Sequence, residues 1–140
     1  PCCGEGHISK RLIKHGYNVE SSDLVDRGYG TPERDFLFER EKRDNIVTNP
    51  PYNMSLLMAR HAQSVARYKT ALLLKITFLE GVARSEFFNQ HPPSRVWVFS
   101  RRQSLLKGGQ SYKGGMGGMM CLAWFVWETG STTPPQIGWI

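Results

Sequence analysis

The chain has 140 residues, 40% hydrophobic and 21% charged, enough to bury one ordinary core and too few to argue for two separately folding units. Its three cysteines, Cys2, Cys3 and Cys121, and its four histidines have neither a disulfide-framework nor a metal-ligand spacing, so no metal site is expected. The formal charge of +6 is unevenly placed: residues 1–48 carry 8 Lys/Arg against 9 Asp/Glu, and residues 49–140 carry 10 against 3, a basic half suited to a polyanion such as nucleic acid.

No apolar run approaches the roughly 20 residues that span a bilayer, and no secretory signal opens the chain, so a soluble, reduced, cytoplasmic setting is expected. The chain opens at Pro1, inside a loop, which implies a segment upstream.

Residues 8–15 place Ile8, Leu12 and Ile13 on one helical face, and Gly16 is a natural stop. Residues 17–21 read as a short strand, followed by an irregular glycine- and proline-bearing loop over 23–36. Residues 44–48 form a compact buried strand, ended by Pro50 and Pro51. Residues 54–68 read as a helix with Leu57, Ala62 and Val65 turned inward, and the nearly continuous apolar run 70–77 as a parallel strand covered on both faces. A helix over 80–89 carries Phe87 and Phe88 near its end, and a strand over 95–100 follows. A glycine-rich stretch, 108–118, leads to a last apolar strand over 119–127. With no room for a helix between them, these two late strands should pair antiparallel. Residues 129–140 form an extended tail, and Trp97, Trp124 and Trp127 are expected in the core.

This order predicts a single α/β domain over 1–140: a sandwich with a mostly parallel sheet, helices on both faces and a final antiparallel hairpin. Such sheets bind ligands beyond the carboxyl ends of their strands, and three loops there carry chemistry. The first is Pro1-Cys2-Cys3-Gly4-Glu5-Gly6-His7, where two glycines let the backbone turn tightly and approach a ligand. The second is Asp23, able to accept from ribose hydroxyls or to form a simple turn, with Asp35 and Phe36 beyond it offering an edge and a face to an adenine.

The third is Asn49-Pro50-Pro51-Tyr52. The prolines stiffen the backbone after a buried strand, Asn49 and the adjacent carbonyls offer acceptors, and Tyr52 offers a flat ring. An exocyclic amine is a poor nucleophile because its lone pair is conjugated into the ring. Two acceptors on its hydrogens favour the geometry it needs as a methyl group arrives. A rigid Pro-Pro turn alone explains the prolines but not the flanking Asn and Tyr. Arg101, Arg102, Lys107 and Lys113, set among glycines, read equally as a phosphate clamp and as a solvated hairpin tip.

Asn49 to Tyr52 resembles the catalytic motif of class I S-adenosylmethionine-dependent amino-methyltransferases, and Cys3-Gly4-Glu5-Gly6 resembles their cofactor loop in the same order. Residues 74–81 and 98–102 are similar to adenine-specific DNA methyltransferases of phage and prophage type, so the likeness runs along nearly the whole chain. It implies a Rossmann-like fold whose first strand is missing, with the loop of Pro1, Cys3, Gly4, Glu5 and Gly6 around the methionine part of the cofactor. It further implies Asp23 on the ribose, Asp35 and Phe36 on the cofactor adenine, and Asn49 to Tyr52 on the target amine. The expected reaction is direct methylation of adenine N6 in DNA. The same chemistry on RNA adenine or a protein glutamine amide is a second reading, and a non-catalytic nucleic-acid-binding remnant a third. The absence of a large target-recognition insert leaves sequence specificity open.

Overall fold

The computed structural model describes residues 1–101 and 120–140. In chain order the elements are α1 (His7–Lys14), β1 (Arg43–Thr48), α2 (Ser55–Val65), β2 (Ala66–Lys75), α3 (Val82–Gln90), β3 (Arg95–Val98), β4 (Leu122–Glu128) and β5 (Gln136–Trp139). They make an α/β protein with one open five-stranded mixed sheet in the order β1-β2-β4-β3-β5.

The expected antiparallel pairing of the two late strands is present, Val96 opposite Phe125. Four of the five strands run in the same direction and β4 alone is reversed. β1 pairs parallel with β2, and β3 parallel with β5, while β4 runs antiparallel to both of its neighbours, β2 and β3. The tail supplies a further parallel strand: Gln136–Trp139 adds to the β3 edge where only an extended segment was expected. Gly138 makes that pairing possible, since a Cβ there would lie 2.1 Å from the Trp97 ring.

Alternation along the strands sorts the sheet into two faces. Ile46, Thr70, Leu72, Leu74, Ala123, Phe125, Trp127 and Val96 lie on one face, which α2 and α3 cover through Ala59, Met58 and Phe87. Phe78, Phe88 and Phe125 meet edge-on or stacked within this core. Each large side chain fully buried here, such as Phe87, Phe125, Leu72 and Leu74, contributes about 1.5–3 kcal/mol of transfer free energy.

On the opposite face Ala71, Leu73 and Val126 floor an open cleft, and Ile8, Ser9 and Leu12 of α1 stand across it. The continuous apolar character of β2 therefore does not mean helices packed on both sides. α1 itself turns Ser9 inward and leaves Ile13 exposed.

The helix expected over 54–68 stops at Val65, and β2 starts at Ala66 with no loop between them. Ala66 takes extended backbone angles and pairs directly with Arg43, and Arg67 bridges Asp44 at 3.0 Å, so tertiary pairing ends the helix rather than a breaker residue. Ala62 and Val65 are buried as expected, whereas Leu57 is 51% exposed. Of the tryptophans, Trp127 is core, Trp124 is half-buried and Trp97 is 37% exposed.

Residues 17–21 do not form a strand. A strand exists only through its ladder, and β1, the near edge of the sheet, lies on the other side of the cleft that Tyr17, Val19, Asn45 and Val47 all line. What remains is a single bridge between Ser22 and Thr31. No helix of the described residues is long and apolar enough to cross a membrane.

Candidate active site

The cleft encloses about 2500 Å³. That exceeds the ~300–1,000 Å³ of an ordinary small-molecule site. Its walls bring together Pro1, Cys3, Gly4, Glu5, Asp23, Asp35 and Phe36 from the first forty residues, and Asn49, Pro50, Pro51 and Tyr52 from the end of β1. Segments far apart in sequence thus converge at the carboxyl end of β1.

Hydrogen bonds fix the glycine loop. Cys3 N donates to Ser22 O at 3.0 Å, Gly6 N to Cys3 O at 2.9 Å, and the Cys3 thiol faces Tyr29 O at 3.5 Å. Thr48, the last residue of β1, donates its hydroxyl to the Pro1 carbonyl and so ties the loop to the strand that leads into Asn49. Both glycines have positive φ, but their surroundings differ. Gly4, at φ +56°, has no atom within 4 Å of where a Cβ would stand, so its backbone faces open space. At Gly6 the same position is 2.4 Å from the Tyr29 ring. Gly6 is buried and is not among the residues lining the cleft. Its lack of a side chain serves the packing of Tyr29, which sequence reasoning missed; of the two glycines only Gly4 lines the cleft.

Asp23 is buried, and its carboxylate organises the loop: Oδ2 accepts from Gly4 N at 2.8 Å and Oδ1 from Val25 N at 3.0 Å. Of its roughly four acceptor positions, those two are taken. Asp35 Oδ1 accepts from Leu37 N at 2.9 Å and caps the 3₁₀ turn Phe36–Phe38. Phe36 packs into the second part of the core, its ring edge-on to His61 with centroids 4.8 Å apart, while still lining the cleft. Burial pushes the Cys2 thiol up to about 11, so it stays protonated near neutral pH.

Around the rim, Arg43 bonds Glu20 at 2.9 Å and Glu41 at 2.8 Å, and Arg34 bonds Glu20 at 3.3 Å and pairs with Glu39. The hydrogen bond from Arg43 holds the Glu20 carboxyl below the usual range, and the backbone N–H of Glu41 does the same for Glu39.

The corner after β1 carries the unusual chemistry. Asn49 Oδ1 is buried and has no hydrogen-bond partner among the described residues. A buried amide oxygen left without a partner costs about 1–3 kcal/mol. The Pro51 carbonyl accepts from Met54 N at 3.0 Å, opening the short 3₁₀ turn Tyr52–Met54. The Tyr52 hydroxyl is also buried without a partner, and burial raises its pKa. Its ring lies between the cleft and a smaller cavity of about 610 Å³ lined by Asn53, Leu56, Gly81 and Arg84.

Of the basic residues singled out after β3, Arg101 is exposed and is not among the residues lining the cleft; Arg102, Lys107 and Lys113 lie outside the described residues. Met120, the first described residue after that stretch, does line the cleft. The described residues hold no group of His, Cys, Asp and Glu fit for a metal ion. No family model, no curated protein and no solved structure matches the chain.

Proposed function

We propose that the chain uses S-adenosylmethionine to methylate an exocyclic amino nitrogen, adenine N6 in DNA being the target. One observation carries this reading: Asn49, whose buried amide oxygen has no partner among the described residues, lines one cleft with Tyr52 and with the open face of Gly4. The likeness of Asn49 to Tyr52 to the amino-methyltransferase motif supports it.

The residues present fit the cofactor. Gly4 offers backbone with no Cβ in the way, Pro1, Cys3 and Glu5 flank it, and Asp23 keeps two acceptor positions for ribose hydroxyls. Asp35 and Phe36 stand further along the same wall for an adenine. When bound, the cofactor supplies a methyl group on a sulfonium.

Asn49 Oδ1 accepts one hydrogen of the target amine and the Pro50 carbonyl the other. The dipoles are already fixed by the Pro50-Pro51 backbone, so they do not have to reorganise as positive charge develops on nitrogen; removing one such group typically costs about 10²–10³ in rate. Tyr52 stacks on the base and offsets part of the cost of drawing it out of a duplex, worth about 1–3 kcal/mol per base. Holding both partners in line supplies further acceleration. No covalent intermediate on the protein is required, which agrees with the protonated Cys2 thiol.

The excess of 10 basic over 3 acidic residues after Asn49 favours nucleic acid over a protein amide. The test is transfer of labelled methyl to DNA, RNA and a glutamine-bearing protein offered in parallel. The expected label is N6-methyladenine in DNA. Label on RNA alone, on protein alone or on none of the three overturns this assignment.

A further inference from the structure

At the carboxyl end of β1 the stretch from Pro1 to Cys3 passes between two walls. Cys3 N donates to Ser22 O at 3.0 Å on one side, and the Pro1 carbonyl accepts from the Thr48 hydroxyl on the other. One chain thus fills the space between Ser22 and Thr48. Toward the amino end of β1 the same two walls continue, Tyr17, Val19 and Glu20 on one side and Asn45 and Val47 on the other, and the space between them is open cleft.

The β1 wall carries unused backbone groups. β1 ends the sheet order and pairs with β2 alone, and among the described residues no backbone hydrogen bond joins residues 17–22 to it. Alternate N–H and C=O groups along β1 therefore point into the opening, as they do from any edge strand. At the far end Arg43 bonds Glu20 at 2.9 Å, so there the walls are joined through side chains. The helix beside the opening is short of partners too: α1 buries Ser9 and leaves Ile8 and Leu12 half-buried against the cleft.

We propose that the opening is a strand site: it takes one apolar β-strand, running parallel to β1 between it and residues 17–22, whose last residue is bonded to the Pro1 nitrogen. The direction follows from the path of Pro1 to Cys3, since a chain that reaches Pro1 through the opening runs from the amino to the carboxyl end of β1. The chemistry follows from the surroundings. Ile8 and Leu12 of α1 and Met58 of α2 line the cleft from different helices, and a parallel strand covered on both faces is continuously apolar. The attachment follows from Pro1: burial disfavours an ammonium on its nitrogen, whereas an acylated proline nitrogen has neither charge nor N–H to satisfy. Such a strand pairs with both walls and fixes the spacing of the loops that carry Gly4 and Asn49.

The experiment compares two proteins that carry six added residues on the Pro1 nitrogen, the length of β1. One extension is valine-rich; in the other every second residue is proline, which cannot donate to a ladder. Amide hydrogen exchange is read residue by residue, beside a thermal melt. The valine-rich extension should slow alternate amides of β1 and of residues 17–21 by at least about a hundredfold and raise the melting temperature by about 10 °C. The proline-bearing extension should leave both as in the unextended chain. Equal exchange and equal melting in the two extended proteins overturn the proposal. Slowed exchange in β1 alone, with residues 17–21 unchanged, means a strand added outside the opening and overturns it as well. The valine-rich peptide is also offered free, and protection as strong as that of the attached strand overturns the attachment to Pro1. None of these readouts involves S-adenosylmethionine, so their outcome is separate from that of the methyl-transfer reading.

Discussion

Among the described residues Asn49, Tyr52, His61, Gln63 and Thr70 each bury a polar atom without a partner, and of these Asn49 and Tyr52 line the cleft. The two are separable. Tyr52→Phe removes the orphaned hydroxyl and keeps the ring, so it should raise stability by up to about 1 kcal/mol in denaturant titration and leave substrate affinity intact. Tyr52→Ala removes the stacking surface and should weaken substrate binding by roughly tenfold or more, in line with about 1–3 kcal/mol per stacked base. A loss of affinity in Tyr52→Phe as large as in Tyr52→Ala would mean that the hydroxyl, not the ring, contacts substrate. Cys2 gives a prediction in pH. Its neutral form is favoured in the fold, so the folded chain holds a proton that the unfolded chain releases, and stability should decline as pH rises from the ordinary thiol range toward about 11. Replacing Cys2 with Ala should flatten that decline. Alkylation mapped by mass spectrometry at mildly alkaline pH should label the exposed Cys121 well before Cys2.

The elements show where sequence patterns carry and where they fail. β4 and α3 were legible because their apolar residues face one continuous core: Phe87 and Phe125 are fully buried, and Phe87→Ala should cost about 3–5 kcal/mol in a thermal or denaturant melt. The end of α2 was not legible, since no Gly or Pro separates Val65 from Ala66 and the strand begins only because Arg43 and Asp44 are there to pair with it. Residues 17–21 have strand-like composition but no neighbour, which periodicity cannot reveal. β5 was hidden for the opposite reason: a short segment behind two prolines gains its strand from the exposed edge of β3. Gly138 is the residue that permits this, and Gly138→Val should lower stability by about 1–3 kcal/mol as the Trp97 ring is pushed aside. A Gly138→Val melt indistinguishable from wild type would show that β5 does not depend on that close approach.

Taken whole, the molecule packs two helices on one face of its sheet and leaves the other as the floor of an open cleft of about 2500 Å³. The candidate site was legible in the sequence to the extent that its residues fall in local motifs: Gly4, Asp23 and Asn49 to Tyr52 all reach one cleft. What lay beyond reach came from contacts between distant segments. Tyr29 fills the space at Gly6, and Thr48 ties the loop to β1 through Pro1. Lys75 covers the Tyr52 ring. The central claim is that Asn49 Oδ1 acts on the target amine and on nothing else. Its most direct test is the single-turnover rate of methyl transfer by Asn49→Ala, measured beside equilibrium binding of S-adenosylmethionine to the same protein. The expected result is a rate lower by about 10²–10³ with cofactor affinity within about twofold of wild type. An undiminished rate, or equal losses of rate and cofactor affinity, would contradict the claim and make Asn49 a structural residue of the corner.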